Sequence, residues 1–134
     1  MKKVSIIITN TNTGHVLEKN LENLKDLIDK GQNLEVIVTD NESNDGSADM
    51  VKKKFPWVIL KSTPNYGLSN GCVIGAAEAT GEYLLFLGED GFPREHTCPG
   101  LVDYMEENPE VGLATARLVL RDGSPDMDVH RRFP

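Results

Sequence analysis

Three short stretches concentrate the side chains able to do chemistry: Thr9-Asn10-Thr11-Asn12-Thr13, Asp40-Asn41-Glu42-Ser43-Asn44-Asp45, and Glu89-Asp90 between Gly88 and Gly91. They offer hydroxyls, amides and carboxylates but no lysine or arginine. Such a set suits a ribose and a base edge, because carboxylates accept from sugar hydroxyls and ring N–H groups. A diphosphate needs positive charge as well. Glu89-Asp90, and Asp90 in particular, can supply it by holding Mg2+ or Mn2+, hard cations that bind through one or two carboxylates plus substrate phosphates. A cation there would stabilise a nucleoside diphosphate as a leaving group. Taken alone, each stretch also has a plainer explanation, a solvated turn with a helix cap at Asp40–Ser47 and a charged turn at Glu89-Asp90.

What favours the chemical reading is the set of elements that carries these stretches. Val4–Ile8 and Leu34–Val38 are β-branched runs of strand length, the second suited to burial on both faces of a parallel sheet, and each stops at one of the polar stretches. Trp57–Lys61 reads as a third strand, Tyr83–Leu87 as another buried one ending at Gly88, and Val111–Leu120 as a long last strand before a turn at Arg121–Ser124. Helical patterns lie between them. Val16, Leu17, Leu21, Leu24, Leu27 and Ile28 make one apolar stripe closing at Lys30-Gly31; a second helix starts near Ala48, capped by Asp45 or Ser47; another follows at roughly Pro99–Glu107. Leu68–Thr80 is a helix rich in Gly and Ala, whose small face permits close packing on the sheet or on a ligand. The alternation predicts an α/β fold with a mostly parallel sheet flanked by helices. Three polar strand ends would then line one crevice at the carboxyl edge of that sheet.

Composition narrows the alternatives. At 134 residues, 39% hydrophobic and 26% charged, the chain is expected to form one domain over residues 1–134 with a core of ordinary size. A net charge of -7 argues against nucleic acid as partner, and Lys52-Lys53-Lys54 is expected to be a solvated helix face. Cys72 and Cys98 lack metal-ligand spacing and fit a reducing cytoplasm, while no apolar run reaches the roughly 20 residues of a membrane span, so any membrane link is expected to be peripheral or to lie outside this chain. Neither G-x-G-x-x-G after the first strand nor a P-loop is present, and Ser69 in Gly67-Leu68-Ser69-Asn70-Gly71 stands too far from a strand for a nucleophile elbow. His15, His96 and His130 are scattered without partners.

In order and spacing, VSIIITNTNTG at Val4–Gly14, LEVIVTDNESNDGSADMV at Leu34–Val51, NYGLSNG at Asn65–Gly71, ATGEYLLFLGED at Ala79–Asp90, MEENPEVGLATARLVLRDGS at Met105–Ser124 and RRFP at Arg131–Pro134 resemble family 2 glycosyltransferases. The fold implied is the Rossmann-like GT-A type, and the resemblance is to the rhamnosyltransferase-like branch and its nucleotide-sugar-binding half. It implies that Thr9, Asn10 and Asn12 border the nucleobase and ribose, that Asp40 with Asn41 reads the base edge, and that Ser43 and Asp45 support that turn. Asn65 and Gly67 are similar to the segment closing over the nucleoside. Glu89 would lie nearer the ribose, with Asp90 the ligand of a divalent ion bridging the diphosphate.

The same resemblance implies a parent that transfers a sugar from a nucleoside diphosphate sugar to a saccharide or lipid-linked acceptor in cell-envelope polysaccharide synthesis, with inversion. The acceptor half is expected beyond Pro134, and with it the general base, so no catalytic residue is assigned within this chain and the isolated chain is expected to bind donor without transferring it. Three places depart from the family pattern: Gly88 where Asn or Asp is common, Thr11 where an aromatic is usual, and the pair Cys72-Val73 where Asn often stands. They leave open a second reading, a non-catalytic nucleotide-binding or assembly module with a degenerate metal site. A nucleotidyltransferase is disfavoured because Thr9–Gly14 holds a single glycine.

Overall fold

A computed structural model describes residues 1–126, so His130 and the Arg131–Pro134 segment lie outside the described residues. Eight elements alternate: β1 (Val4–Asn10), α1 (Gly14–Asp29), β2 (Leu34–Asn41), α2 (Ser47–Lys54), β3 (Ile59–Thr63), α3 (Leu68–Glu78), β4 (Tyr83–Leu87) and α4 (Thr97–Glu107). The strands form one parallel sheet in the order β3-β2-β1-β4. Strand periodicity then divides β1 and β2 into two faces. Ile6, Ile8, Val36 and Val38 pack with Leu17, Leu21 and Leu24 of α1, Val51 of α2 and Val102 of α4 in the main core. Burial of each such side chain contributes roughly 1.5–3 kcal/mol, which makes this face the chief source of stability.

The opposite face belongs to α3, and here the glycines decide the geometry. A Cβ on Gly75 would collide with Cγ2 of Ile7, and one on Gly71 would stand 2.6 Å from Cγ2 of Thr9. The small face of α3 is therefore spent on the sheet. It covers β1 and β2 but leaves Leu84 and Phe86 of β4 half exposed, so the expectation of a fully buried fourth strand is corrected: β4 is the sheet's edge and only Tyr83, Leu85 and Leu87 pack on the core.

Other boundaries also differ. β1 and β2 run two and three residues past the apolar runs that announce them, because Thr9, Asn10, Thr39 and Asp40 bond one another across the strands. β3 starts two residues later than its apolar run, at Ile59, with Trp57 instead packing edge-on against Phe55. Gly46 stands at the N-cap position of α2 in a left-handed conformation (φ 83°), with the Asp45 carboxylate, one residue earlier, accepting from the first helical N–H. Val111–Leu120 is not a strand: it pairs with none of the four, and Leu113 is 87% exposed. The turn after it does form, closed by the Leu120 N–H donating to Ser124 O at 2.8 Å, with one antiparallel bridge between Val119 and Pro125.

At the amino ends of the strands, Glu35 ties three segments together. It accepts hydrogen bonds from Lys3 Nζ (2.7 Å), the Ser5 hydroxyl, Thr80 N (2.9 Å) and the Thr80 hydroxyl (2.7 Å). Burial alone would push this carboxyl up, but the bonds from Lys3, Ser5 and Thr80 together outweigh it and hold the group down at about 2. A depressed folded-state value means stability that is fully present above the unfolded value near 4.5 and is lost as pH falls from there toward 2. Glu35→Gln is expected to cost about 1–2 kcal/mol at neutral pH and to flatten the acid limb of a urea-denaturation series. An acid limb unchanged in the variant would contradict this assignment.

Candidate nucleotide-binding edge

The register of the sheet brings the polar strand ends side by side. Thr9 faces Thr39 and Asn10 faces Asp40 across β1 and β2, while β4, paired to the other side of β1, delivers Gly88-Glu89-Asp90 at the same end. The end of β3 brings Asn65–Gly67 there too, tied to β2 by the Asn41 amide donating to Gly67 O at 3.2 Å and by the Asn65 N–H donating to Glu42 at 3.3 Å. The sequence-predicted residues thus come together. Their roles divide sharply.

Most are spent on one another. Asp40 is 3% exposed; its two oxygens accept from Asn10 Nδ2 (2.8 Å) and from Ser43 N (3.1 Å). Asn10 Nδ2 also reaches the Ser43 hydroxyl (3.1 Å), and Asn10 Oδ1 accepts from Thr13 (2.7 Å). Asn12 closes the lacing between the two loops, its N–H donating to Ser43 Oγ (2.9 Å) and its Oδ1 accepting from Asn44 N (2.8 Å). Thr9 lies beneath α3, its hydroxyl 3.2 Å from that of Thr39. Asn12 (φ 54°) and Glu42 (φ 56°) sit in the left-handed region, a backbone cost that this lacing sustains.

Asp45 is the anion of two helix N-termini. One oxygen accepts from Gly14 N of α1 (2.9 Å), the other from Ser47 N of α2 (3.0 Å) and from the Ser47 hydroxyl. The Ser47 hydroxyl, then the Gly14 N–H, hold its carboxyl below the usual aspartate range. Helix N-termini commonly bind phosphate. Here a carboxylate already takes the first N–H of each, and the close approach requires Gly14, since a Cβ there would meet Ser47 Oγ at 2.8 Å.

Three groups at this edge keep unused capacity. Asn41 is 1% exposed and its Oδ1 has no hydrogen-bond partner, although its amide is oriented by Gly67 O. Among the described residues neither Glu89 nor Asp90 makes a side-chain hydrogen bond or ion pair, and Asp90 is exposed. Gly88 matters to Asp90, because a Cβ at 88 would stand 3.0 Å from its Oδ1. No group of three or more His, Cys, Asp or Glu able to hold a metal exists among the described residues. The donor set here is an unpaired, oxygen-only carboxylate pair, which fits a hard divalent cation completed by substrate phosphates and does not fit a structural metal.

Sequence reasoning missed Asn20 and Glu42. Glu42 lies in the polar stretch after β2 but nothing there marks it out as the partner of Asn65; Asn20 does carry a signal, as an amide inside the apolar stripe of α1. Cys98 is a core residue whose burial pushes its thiol up to about 11, Cys72 is half-buried, and Lys52–Lys54 are exposed in the last turn of α2, away from this edge. No helix of the described residues is long and apolar enough to cross a membrane.

Comparison with known proteins bears on the family and the fold. The model of the family described as Glycosyl transferase family 2 matches residues 5–133. A dolichol-phosphate mannosyltransferase of Pyrococcus furiosus is 28% identical over 119 residues, 84% of this chain and 33% of that protein. Among solved structures, the mannosyltransferase PcManGT of Pyrobaculum calidifontis, in complex with GDP-Man and Mn2+, superposes with a TM-score of 0.67 at 24% identity, covering 78% of this chain and 32% of its own. Staphylococcus aureus TarS in complex with UDP-GlcNAc gives 0.59 at 23% identity, covering 80% and 32%. At these identities the structures speak for the GT-A fold. The chain spans about a third of the length of the relatives it matches.

Proposed function

The chain belongs to glycosyl transferase family 2, and from that premise we propose that its strand-end edge holds the nucleoside diphosphate of an activated sugar. The parent reaction is transfer of that sugar to a saccharide or lipid-linked acceptor hydroxyl, with inversion. One observation carries the reading: Asp45 takes the first N–H of α1 and of α2, and among the described residues the polar edge stretches hold no Lys or Arg, while Glu89 and Asp90 are left without partners. A diphosphate at this edge therefore depends on a divalent cation, Mg2+ or Mn2+, with Asp90 as its protein ligand; that cation would stabilise the departing nucleoside diphosphate.

The nucleoside falls to the neighbouring residues. Asp40, with both oxygens satisfied, braces the strand-end edge; Asn41 Oδ1 is a buried, unpaired acceptor that a base N–H would satisfy on reaching it. Ser43 and Asn12 hold the two loops at their spacing, Glu89 is the carboxylate available to ribose hydroxyls, and Asn65–Gly67 closes the outer side. The solved neighbours bind GDP-Man and UDP-GlcNAc, so guanine and uracil diphosphates are both candidates, with dTDP added by the rhamnosyltransferase resemblance. We assign no acceptor-side base to this chain. A cytoplasmic setting, where free Cys72 and Cys98 stay reduced, fits the same reading.

Chemical-shift mapping with UDP and GDP tests the location. Perturbed amides are expected to cluster at Asn41–Asp45, Asn65–Gly67 and Gly88–Asp90. Shifts concentrated at the opposite end of the sheet, around Lys3, Glu35 and Thr80, would refute it.

A further inference from the structure

The apolar stripe of α1 has one polar interruption. Asn20 is 0% exposed between Leu17, Leu21 and Leu24, where burying an amide costs free energy unless it is bonded. Its Nδ2 donates to Glu89 O at 3.1 Å and, at greater length, to Gly88 O at 3.4 Å. Its Oδ1 has no partner at all, so the amide is retained for its donor side and leaves a buried acceptor unsatisfied.

Two further amides continue the same attachment. Asn23, on the next turn of α1, donates from Nδ2 to Pro93 O at 3.0 Å, and Gln32, just past the helix, donates from Nε2 to Glu95 O at 2.7 Å. Residues 88–95 form no helix or strand. Internally the segment has the Gly91 N–H donating to Gly88 O and, at its far end, the Arg94 N–H donating to the Thr97 hydroxyl. Its carbonyls are thus hung on α1, with Asn20 holding the two residues immediately before Asp90.

We propose that Asn20 is a positioning residue for the cation: by fixing the Gly88 and Glu89 carbonyls it sets the backbone from which Asp90 presents its carboxylate. The inference rests on the assignment of Asp90 as a cation ligand. Leucine would fill the same space in the stripe without an unsatisfied oxygen, so a purely structural role predicts that Asn20→Leu is neutral or stabilising and changes nothing at the edge. A positioning role predicts a loop freed to move and a weaker cation site.

The test uses Mn2+ itself as probe, titrated in the presence of GDP or UDP and read by its electron paramagnetic resonance signal. Alongside it go amide hydrogen exchange at residues 88–91, metal-free nucleotide affinity and thermal midpoint. For Asn20→Leu we expect Mn2+ affinity to fall about tenfold, the usual scale for removing a group that orients a metal ligand. Exchange at 88–91 should quicken without metal, while metal-free nucleotide affinity falls less than Mn2+ affinity does, since of the nucleoside contacts only Glu89 rides on this segment. Exchange and Mn2+ affinity both unchanged would overturn the proposal, as would a loosened loop with unchanged Mn2+ affinity. Should Asn20→Leu fail to fold, Asn23→Ala, which releases only Pro93 O, is expected to move the same readouts in the same direction by less, and no movement there would overturn it equally. If Asp90→Asn left Mn2+ affinity intact, the proposal would fail through its premise. That outcome is distinguishable, because the exchange difference at 88–91 would persist.

Discussion

Asp90→Asn is expected to lower nucleotide affinity measured with Mn2+ by about 10–100-fold, the scale of losing one interaction with a charged partner. Affinity measured without metal should be unchanged. Asp90 is exposed and, among the described residues, bonds to nothing, so removing its charge costs the fold nothing while removing the ligand the diphosphate depends on. The folded state should accordingly keep its thermal midpoint within about a degree or two, as surface substitutions usually do. Calorimetric titration with and without Mn2+ separates the two affinities. Equal losses in both conditions would mean that Asp90 contacts the nucleotide directly, and no loss in either would remove it from the site.

Gly75→Ala is expected to destabilise the chain by about 1–3 kcal/mol, the range for forcing extra volume into a close-packed contact. The sign is diagnostic, because glycine to alanine inside a helix normally gains roughly 0.5–1 kcal/mol. Here the added methyl meets Cγ2 of Ile7, which is 1% exposed on the central strand β1 and has nowhere to retreat. α3 must lift instead. Gly71→Ala should act similarly and also disturb the hydroxyl pair of Thr9 and Thr39, which stand 2.7 Å and 3.1 Å from its added Cβ. Urea denaturation reads both, and a raised midpoint for Gly75→Ala would show that α3 does not depend on this contact.

The sequence carries the order of elements and the edge where the site lies because both follow from short-range signals. β-branched runs that stop at amide and hydroxyl clusters mark strand ends, and alternation with amphipathic helices makes the sheet parallel. What it does not carry is the partner of each polar group. Asp40 and Asp45 look as available as Asp90 in the sequence, yet both are consumed, one by Asn10 and Ser43, the other by Gly14 and Ser47, contacts made across 30 or more residues as well as locally. Val111–Leu120 has the composition of a strand, but a strand needs an edge to pair with, and that requirement is not written in its own residues. Leu84 and Phe86 read as core for a similar reason: their run is apolar, while their cover depends on how far α3 reaches. Asn20 was legible as an anomaly, a polar side chain at a stripe position, though its carbonyl partners lie 68 and 69 residues away.

The central claim is that this edge binds the nucleoside diphosphate of a sugar donor through a divalent cation. Calorimetric titration of UDP, GDP and dTDP into the chain, each with and without Mn2+, tests it most directly. One of the three is expected to bind, with Mn2+ tightening the binding at least about tenfold, or about 1.4 kcal/mol. No heat from any nucleotide in either condition would contradict it.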